Sequence, residues 1–179
     1  MVIHERVTAF ANHSLRFAAM SAQNVSVLVV CLGNICRSPM GEAVLKHVAK
    51  ERGLDVTLVD SAGTSSYHIG EDPDDRTVQA CKKNNVPIKH SGRQVQQSDF
   101  KRFTHILASD ESNLRNLERV KPHDTTAEVR LWGSYLDNKP IPDPYYGGMN
   151  GFDKVYDQCV RLSNAFLDEV FGTSTQGVQ

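Results

Sequence analysis

The feature of this sequence that most constrains its fold is an apolar run at residues 25–30 that leads into a short loop and then a helix. The run does not alternate regularly with polar residues, which is typical of a central strand covered on both faces in a parallel sheet. The loop spans residues 31–38. Ser38 followed by Pro39 is a strong helix start, with Ser38 as the N-cap and Pro39 as the first helical residue. A strand, a loop and a helix are therefore predicted at the centre of the fold.

The rest of the chain alternates strand patterns with helix patterns. Gly53 is expected to end the first helix, and a proline-rich connection at residues 133–150 is long enough to suggest a functional loop. Further strands are predicted at residues 56–59, 104–108 and 127–131, and further helices at residues 73–84, 111–120 and 152–170. This order predicts an α/β three-layer sandwich around a central four-stranded parallel sheet with right-handed crossovers.

Length and composition limit the possible classes of protein. With 179 residues, of which 40% are hydrophobic, the chain suits one domain with a core of its own. We expect that domain at residues 25–172 and a C-terminal tail at residues 173–179. Residues 1–24 form an N-terminal extension, which is predicted to be disordered or, as the alternative, to carry a targeting signal.

Charge and hydropathy exclude two kinds of partner. A net charge of -1 provides no basic field that would attract nucleic acid. No apolar run approaches the length of about 18 residues that a membrane-spanning helix needs. Binding to nucleic acid and insertion into a membrane are therefore not expected.

The four cysteines indicate a reducing compartment. Their spacing fits neither a zinc site nor a dense disulfide framework, and no secretory leader is evident. We therefore expect a cytoplasmic protein. Cys81 and Cys159 occur at helical core spacing and are predicted to be inert packing thiols.

The predicted loop carries the residues best suited to chemistry. A strand that runs into a loop and a helix gathers backbone N–H groups and the positive end of the helix at one point, which is a phosphate site. Cys31 lies there, where its thiolate would be stabilised, and Arg37 can donate two parallel hydrogen bonds to phosphate oxygens. Gly33 and Asn34 suit left-handed backbone in a tight loop. Either Cys31 or Arg37 alone would be read as structural, but together they predict a nucleophile and a phosphate clamp.

Residues 29–39 resemble the signature of the low-molecular-weight protein tyrosine phosphatases. They read Val-Val-Cys-Leu-Gly-Asn-Ile-Cys-Arg-Ser-Pro. Further motifs of that family match in order and spacing at residues 60–64, 89–94, 110–114 and 143–147. The resemblance covers residues 25–171 and implies a flavodoxin-like topology with a phosphate loop after the first strand.

The resemblance assigns a role to each matched residue. The catalytic residues are expected to be Cys31 as nucleophile, Arg37 as phosphate clamp and Asp143 as general acid. Backbone N–H groups of residues 32–36 form the phosphate cradle, with Arg37 and with Ser38, whose hydroxyl steadies the leaving thiolate. The cradle residues are Leu32, Gly33, Asn34, Ile35 and Cys36. Asn34, Ser61 and His90 are expected to support the shape of the loop.

The mouth of the pocket is expected to be aromatic. Leu32, Tyr67, Tyr145 and Tyr146 are the candidates for walls that a phenyl ring stacks on. Tyr67 occupies a position where animal members carry Trp, which makes the chain similar to fungal members. The resemblance also implies a reversible disulfide between Cys31 and Cys36. Gly41 stands where the family usually has Ala, at an expected cost of up to ~1 kcal/mol in helix propensity.

The expected reaction is hydrolysis of phosphotyrosine and small aryl phosphates through a phospho-cysteine, with no metal and no cofactor. The expected partners are proteins that contain phosphotyrosine. A thiol-dependent arsenate reductase shares the loop signature, but it needs further cysteines that the region between His90 and Pro144 lacks. A non-catalytic phosphotyrosine-binding module would need neither a nucleophile nor an acid. A nucleotide-binding module is a weaker alternative, because neither a Gly-x-Gly-x-x-Gly motif nor a Walker loop follows the first strand.

Overall fold

The computed structural model describes residues 24–172, which contain four strands and five α-helices. In chain order these are β1 (Val25–Cys31), α1 (Arg37–Glu51), β2 (Val56–Gly63), α2 (Asp75–Lys83), α3 (Asp99–Arg102), β3 (His105–Ala108), α4 (Glu111–Val120), β4 (Glu128–Leu131), a 3-10 turn (Trp132–Tyr135) and α5 (Met149–Phe171). The predicted tail, and all of the predicted N-terminal extension except Asn24, lie outside the described residues.

The four strands form one parallel sheet in the order β2-β1-β3-β4. β1 is central, as its continuous apolar sequence predicts, and all seven of its residues are buried. The chain leaves β1 for β2 on one side of it and later enters β3 on the other side. A crevice therefore forms at the carboxyl ends of β1 and β3, where α/β folds of this kind bind ligands. Cys31 is the last residue of β1 and lies at this crevice.

Successive residues of β1 face two separate apolar layers. Val27 and Val29 pack in a cluster with residues of α1, α2 and α5. Leu28 and Val30 pack on the opposite face with residues of α3 and α4, among them Phe100. The predicted α/β sandwich with a four-stranded parallel sheet is therefore confirmed.

Several predicted boundaries differ from those in the structure. β2 runs to Gly63 rather than to residue 59, because its last residues continue to pair with β1 up to Cys31. α2 begins at Asp75 rather than at residue 73, because the Asp74 carboxylate accepts a hydrogen bond from the Arg76 N–H and caps the helix. α5 begins three residues before the predicted residue 152. The single turn of α3 was not predicted, since four residues are too few to show a period.

The prediction that Ser38 is the N-cap of the first helix is wrong. α1 begins at Arg37, and its N-cap residue is Cys36, which makes no side-chain capping bond. The Ser38 hydroxyl lies 3.0 Å from the Cys31 sulfur and accepts a hydrogen bond of 2.9 Å from the Asn34 side-chain amide. The hydroxyl is therefore committed to the loop rather than to the end of the helix.

The other buried cysteines behave as predicted. Cys81 and Cys159 are fully buried in the cluster between the sheet and α1, α2 and α5. Burial raises the pKa of the Cys81 thiol to about 12, and burial also raises the pKa of Cys159. Both are packing thiols.

No helix within residues 24–172 is both long enough and apolar enough to cross a membrane.

Gly41 has a packing role that helix propensity does not reveal. A Cβ atom at this position would lie 2.6 Å from the Trp132 ring and 3.0 Å from a methyl group of Val29. Both neighbours are fully buried, so neither can move away without disturbing the core. The expectation that glycine here is a simple cost in helix propensity is therefore wrong, because glycine is what lets α1 approach Trp132.

We predict that Gly41→Ala destabilises the protein by about 1–3 kcal/mol, because overpacking a filled core costs more than the improved helix propensity returns. Gly151 in α5 is the matched control. A Cβ atom there would make ordinary contacts of 3.4 Å with Pro144, so Gly151→Ala should stabilise the protein by up to about 1 kcal/mol. Urea denaturation measures both changes. A Gly41→Ala variant as stable as the parent protein would show that Trp132 can move away at no cost.

Candidate active site

The loop between β1 and α1 forms the floor of a pocket with a volume of about 160 Å³. Seven residues of the loop line the pocket, namely Cys31, Leu32, Gly33, Asn34, Ile35, Cys36 and Arg37. The other lining residues are Tyr67, His68, Asp143, Tyr145 and Tyr146. Three separate chain segments therefore meet here. All the predicted catalytic, cradle and rim residues line this pocket except Ser38, which lies behind Cys31.

Cys31 lines the floor of the pocket, and the residue is almost fully buried. The backbone N–H of Asn34 donates a hydrogen bond to the Cys31 sulfur at 3.3 Å. The Ser38 hydroxyl lies 3.0 Å from the sulfur on another side. Both groups are placed to donate hydrogen bonds to the sulfur.

Arg37 is buried, and its guanidinium group makes three hydrogen bonds to two other chain segments. One nitrogen donates to the Asp110 carboxylate at 2.6 Å and to the Ile141 carbonyl at 3.2 Å, and the other donates to the Asp143 carboxylate at 2.8 Å. Burial alone would lower the pKa of Arg37, but the interactions with Cys31, Asp110 and Asp143 outweigh it and raise the pKa. The guanidinium is therefore a permanent, oriented positive charge beside the sulfur.

Asp110 is a site residue whose role the sequence did not reveal. It follows the end of β3, and its carboxylate also accepts a hydrogen bond of 2.7 Å from the Asn113 N–H at the start of α4. Its position after a strand of the central sheet is the signal that could have identified it, because the carboxyl ends of parallel strands meet at one edge. Asp110 holds the guanidinium of Arg37 toward the pocket.

Asp143 lies at the open side of the pocket. Its side chain is 40% exposed, and its second oxygen accepts a hydrogen bond of 3.2 Å from the Tyr145 N–H. The carboxylate is thus fixed by Arg37 below and by its own loop above. This places an acid group between the floor of the pocket and solvent, where a leaving group would pass.

The Asn34 side chain holds the loop in its shape. Asn34 has left-handed backbone, with a φ of 59°, whereas Gly33, also predicted to be left-handed, is not among the residues with positive φ. The side-chain amide of Asn34 donates to Ser38 at 2.9 Å and to Ser61 at 3.0 Å. Its carbonyl accepts from His90 at 2.8 Å and from the Arg93 N–H at 2.8 Å.

A buried carboxylate, which the sequence did not single out, extends this network. Glu42 of α1 accepts a hydrogen bond of 2.8 Å from the Ser61 hydroxyl, and the same oxygen lies 3.0 Å from a ring nitrogen of His90. Its other oxygen pairs with Lys46 at 2.5 Å. Burial would raise the pKa of Glu42, but the bonds from His90, Lys46 and Ser61 outweigh it and lower the pKa. Glu42 therefore remains ionised beneath the loop.

Glu42 and His90, together with the nearby Asp60, have the spacing of a metal site. Ligand atoms of Glu42, Asp60 and His90 lie within 4.8 Å of one another. Lys46 already pairs with Glu42, however, and Arg93 donates to Asp60 at 2.9 Å. Because these two cations already balance the two carboxylates, the geometry could admit a cation only by displacing protein charges.

The mouth of the pocket is built from exposed aromatic side chains. Tyr67 is 78% exposed and Tyr146 is 95% exposed, and the rings of Tyr145 and Tyr146 meet edge to face with centroids 5.0 Å apart. His68, which was not predicted, also lines the pocket and bonds to Glu71 at 2.8 Å. Its ring lies 3.0 Å from where a Cβ atom of Gly33 would stand. Glycine at position 33 therefore leaves room for His68.

Cys36 lies in the same loop as Cys31, and the two are free thiols. Burial raises the pKa of the Cys36 thiol to about 12, and the negative charges of Asp74, Cys31 and Asp143 add to the effect. Cys36 is therefore protonated at neutral pH. The two cysteines of the loop differ in role, because the Cys36 sulfur faces carboxylates while the Cys31 sulfur faces hydrogen-bond donors.

Comparison with known proteins shows which family this chain resembles. Residues 26–174 match the family model described as low molecular weight phosphotyrosine protein phosphatase. The protein of that name from Schizosaccharomyces pombe is 47% identical over 153 residues, which cover 83% of this chain and 98% of that protein. The protein of that name from Homo sapiens is 46% identical over 149 residues, 80% of this chain and 94% of that protein.

Solved structures agree with the sequence comparison. A crystal structure of a protein tyrosine phosphatase from Entamoeba histolytica, with Hepes in the active site, has a TM-score of 0.79 and 34% identity, and the match covers 84% of this chain and 99% of that one. The fold and the site define a cysteine-dependent phosphatase. The chain belongs to the low molecular weight phosphotyrosine protein phosphatase family. The predicted family, fold class and enzyme class are confirmed.

We predict that Glu42→Gln lowers the free energy of unfolding by about 1–3 kcal/mol at neutral pH, because it removes the charge from a buried, hydrogen-bonded carboxylate. Folding lowers the pKa of Glu42 below its ordinary value of 4.5. The stabilisation is therefore present above that value and is lost as the pH falls through the folded pKa. The difference between the variant and the parent protein should shrink in denaturation curves recorded at progressively lower pH.

The matched control is Glu51→Gln at the end of the same helix, where the side chain is 66% exposed. This change should have little effect at any pH. A constant difference between Glu42→Gln and the parent protein across the acidic range would contradict the role given to the ionised carboxylate.

Proposed function

We propose that this chain hydrolyses aryl phosphate monoesters, phosphotyrosine above all, through a phospho-cysteine on Cys31. The observation that carries the proposal is the convergence at the pocket floor. The Cys31 sulfur receives a backbone N–H and a hydroxyl within 3.3 Å, while the oriented guanidinium of Arg37 links the loop to Asp143. This arrangement supplies a nucleophile, an anion clamp and an acid in one pocket.

The phosphate group binds in the cradle formed by residues 32–36. The backbone N–H groups of this loop and the positive end of α1 surround the group, and Arg37 donates to two of its oxygens. Charge on the equatorial oxygens is then met by fixed donors that need no rearrangement as the reaction proceeds. Such preorganised donors supply most of the rate enhancement in reactions of this kind.

In the first step the Cys31 thiolate attacks phosphorus in line with the ester bond. The sulfur–phosphorus bond forms as the phosphorus–oxygen bond breaks, and the proton of Asp143 passes to the departing phenolate oxygen. Asp143 must carry that proton.

In the second step a water molecule attacks the phospho-cysteine. Asp143 accepts the proton of that water, the sulfur–phosphorus bond breaks, and inorganic phosphate forms. The Ser38 hydroxyl at 3.0 Å stabilises the thiolate as it leaves. Each proton taken up in one step is returned in the other, so the enzyme ends as it began and needs neither metal nor cofactor.

The shape of the pocket supports aromatic substrates. The sulfur lies at the floor and aromatic rings stand at the mouth, so a phosphate on a long flat group reaches Cys31, whereas a phosphate on serine is too short. We propose that the partners are proteins that contain phosphotyrosine, and that small aryl phosphates also react. The four cysteines are free thiols, in keeping with the proposed cytoplasmic location.

We predict that Asp143→Asn slows the hydrolysis of phosphotyrosine far more than that of nitrophenyl phosphate. Tyrosine is a poor leaving group that needs the proton, whereas nitrophenolate leaves without one. The measurement is kcat/KM on both substrates. Asp137→Asn in the same loop is the control, because that side chain pairs with Lys139 outside the pocket. Equal losses on both substrates would refute the acid role of Asp143.

We predict that Tyr67→Ala raises KM for phosphotyrosine peptides several-fold and leaves hydrolysis of a small alkyl phosphate almost unchanged. A ring contact of this kind is worth about 0.5–1.5 kcal/mol, which sets the size of the effect. Steady-state kinetics on the two substrates measure it. Parallel losses would instead mean that Tyr67 supports the fold and does not contact the substrate.

We also propose that Cys31 and Cys36 form a reversible disulfide. Peroxide oxidises the Cys31 thiolate to a sulfenic acid with release of hydroxide, and Cys36 then displaces water to form the sulfur–sulfur bond. Because its pKa is about 12, the Cys36 thiol does not compete for peroxide and acts second.

The redox proposal predicts that peroxide-treated enzyme recovers in dithiol, whereas Cys36→Ser becomes progressively unrecoverable as Cys31 oxidises further. Cys81→Ala, which removes a thiol far from the pocket, should recover like the parent protein. Activity after dithiol treatment and mass spectrometry of the loop peptide provide the measurement. Full recovery of Cys36→Ser would rule out a protective disulfide.

A further inference from the structure

A second cleft, of about 500 Å³, adjoins the catalytic pocket. Its apolar lining includes Leu32, Tyr67, Val95 and Val120, and its polar lining includes Gln94 and Arg119. We call this cleft the flanking groove. Leu32 and Tyr67 line both the groove and the pocket, so the two spaces share one wall and open at the same mouth.

The groove is built on the α3 and α4 side of the sheet. Val95 belongs to the segment that pairs with the end of β2, where its N–H donates to the Gly63 carbonyl at 2.9 Å. Arg119 and Val120 are the last two residues of α4. Two backbone elements of the folded core therefore fix the position of the groove.

The groove is lined by four apolar residues, five uncharged polar residues and one charged residue, Arg119. Leu32 and Val120 are 44% and 46% exposed, which leaves an apolar surface open to solvent. Among the described residues, Arg119 is the one charged residue that lines the groove, and no carboxylate pairs with it. The neighbouring Glu118 pairs instead with Lys121. The groove thus presents an apolar patch beside an uncompensated positive charge.

The position of the groove relates it to the substrate. A peptide whose phosphotyrosine reaches Cys31 must cross the mouth of the pocket, and an extended chain advances about 3.3 Å per residue. The residues next to phosphotyrosine on one side would then pass over Leu32 and Tyr67 into the groove. Continuity with the catalytic pocket identifies the occupant as a segment of the substrate.

We propose that the flanking groove binds the peptide residues on one side of phosphotyrosine, with an apolar side chain against Val120 and an acidic side chain paired with Arg119. This inference rests on the proposed function and adds a sequence preference to it. Small aryl phosphates do not reach the groove. The groove therefore affects which phosphoproteins react well and leaves the chemical step unchanged.

The test is a charge reversal, Arg119→Glu, combined with phosphotyrosine peptides that carry Glu, Gln or Lys at each of the three positions on either side. At one position the parent enzyme should prefer Glu over Lys, and the variant should reverse that preference, with changes in kcat/KM of about three- to tenfold. An exposed ion pair and the repulsion that replaces it have this magnitude. The position that responds also gives the direction in which the peptide lies.

Two comparisons isolate the groove. Hydrolysis of nitrophenyl phosphate by Arg119→Glu should equal that of the parent enzyme, because Arg119 lies outside the catalytic pocket. Arg161→Glu is the matched control, since this exposed arginine lies on α5, on the opposite face of the sheet; it should not reverse the preference. Val120→Ser should weaken peptides with an apolar residue at the neighbouring position by about twofold, through lost apolar contact.

The outcomes separate the two proposals. Normal turnover of nitrophenyl phosphate, with the same peptide preference in the parent enzyme and in Arg119→Glu, would overturn the flanking groove alone. Equal losses on nitrophenyl phosphate and on all peptides would also overturn it, because the change would then act on the fold. Failure of the parent enzyme to hydrolyse any aryl phosphate would instead count against the proposed function itself.

Discussion

The bonds made by the Asn34 side chain are the constraint on which the rest of the site depends. A loop that directs several backbone N–H groups into one pocket leaves those donors without partners in the loop itself and bends the chain sharply. Left-handed backbone at Asn34 makes the bend possible, and the side chain then bonds to Ser38, Ser61, His90 and the Arg93 backbone. The shape of the loop is thus fixed by Ser38 within it and by Ser61, His90 and the Arg93 backbone from other segments.

Charged side chains beneath and beside the loop also hold the groups of the site in place. Glu42 orients Ser61 and His90 from below, so a buried carboxylate acts on the loop through two intermediaries. Arg37 is held by Asp110 and Asp143 from the other side of the pocket. The protein thereby places one fixed cation at the pocket floor, and the carboxylates of Asp110 and Asp143 orient its guanidinium group.

Local sequence predicted the features that depend on neighbouring residues. The apolar run of β1, the loop with Cys31 and Arg37, and the alternation of strands with helices could all be read along the chain. The family resemblance then supplied Asp143, Ser61 and His90, whose positions in the structure meet at the pocket or beneath it. The roles of Asp110, Glu42 and His68 were not predicted, because they depend on which segments meet in space. The helix-propensity cost expected at Gly41 and the N-cap expected at Ser38 were wrong because both rested on local sequence alone. The approach of Trp132 to α1 depends on tertiary packing, and the Ser38 hydroxyl lies next to the Cys31 sulfur, in line with the role that the family resemblance gave it.

The central claim is that phosphate passes through the Cys31 sulfur, and trapping that intermediate tests it most directly. The enzyme is mixed with nitrophenyl phosphate in the presence of a chelator, quenched rapidly, digested and examined by mass spectrometry. The mechanism predicts one phosphate on the peptide that contains Cys31, formed at the rate of the initial nitrophenol release. It also predicts no phosphoenzyme and no turnover in Cys31→Ser. Phosphate on another residue, or continued turnover by Cys31→Ser, would contradict the account.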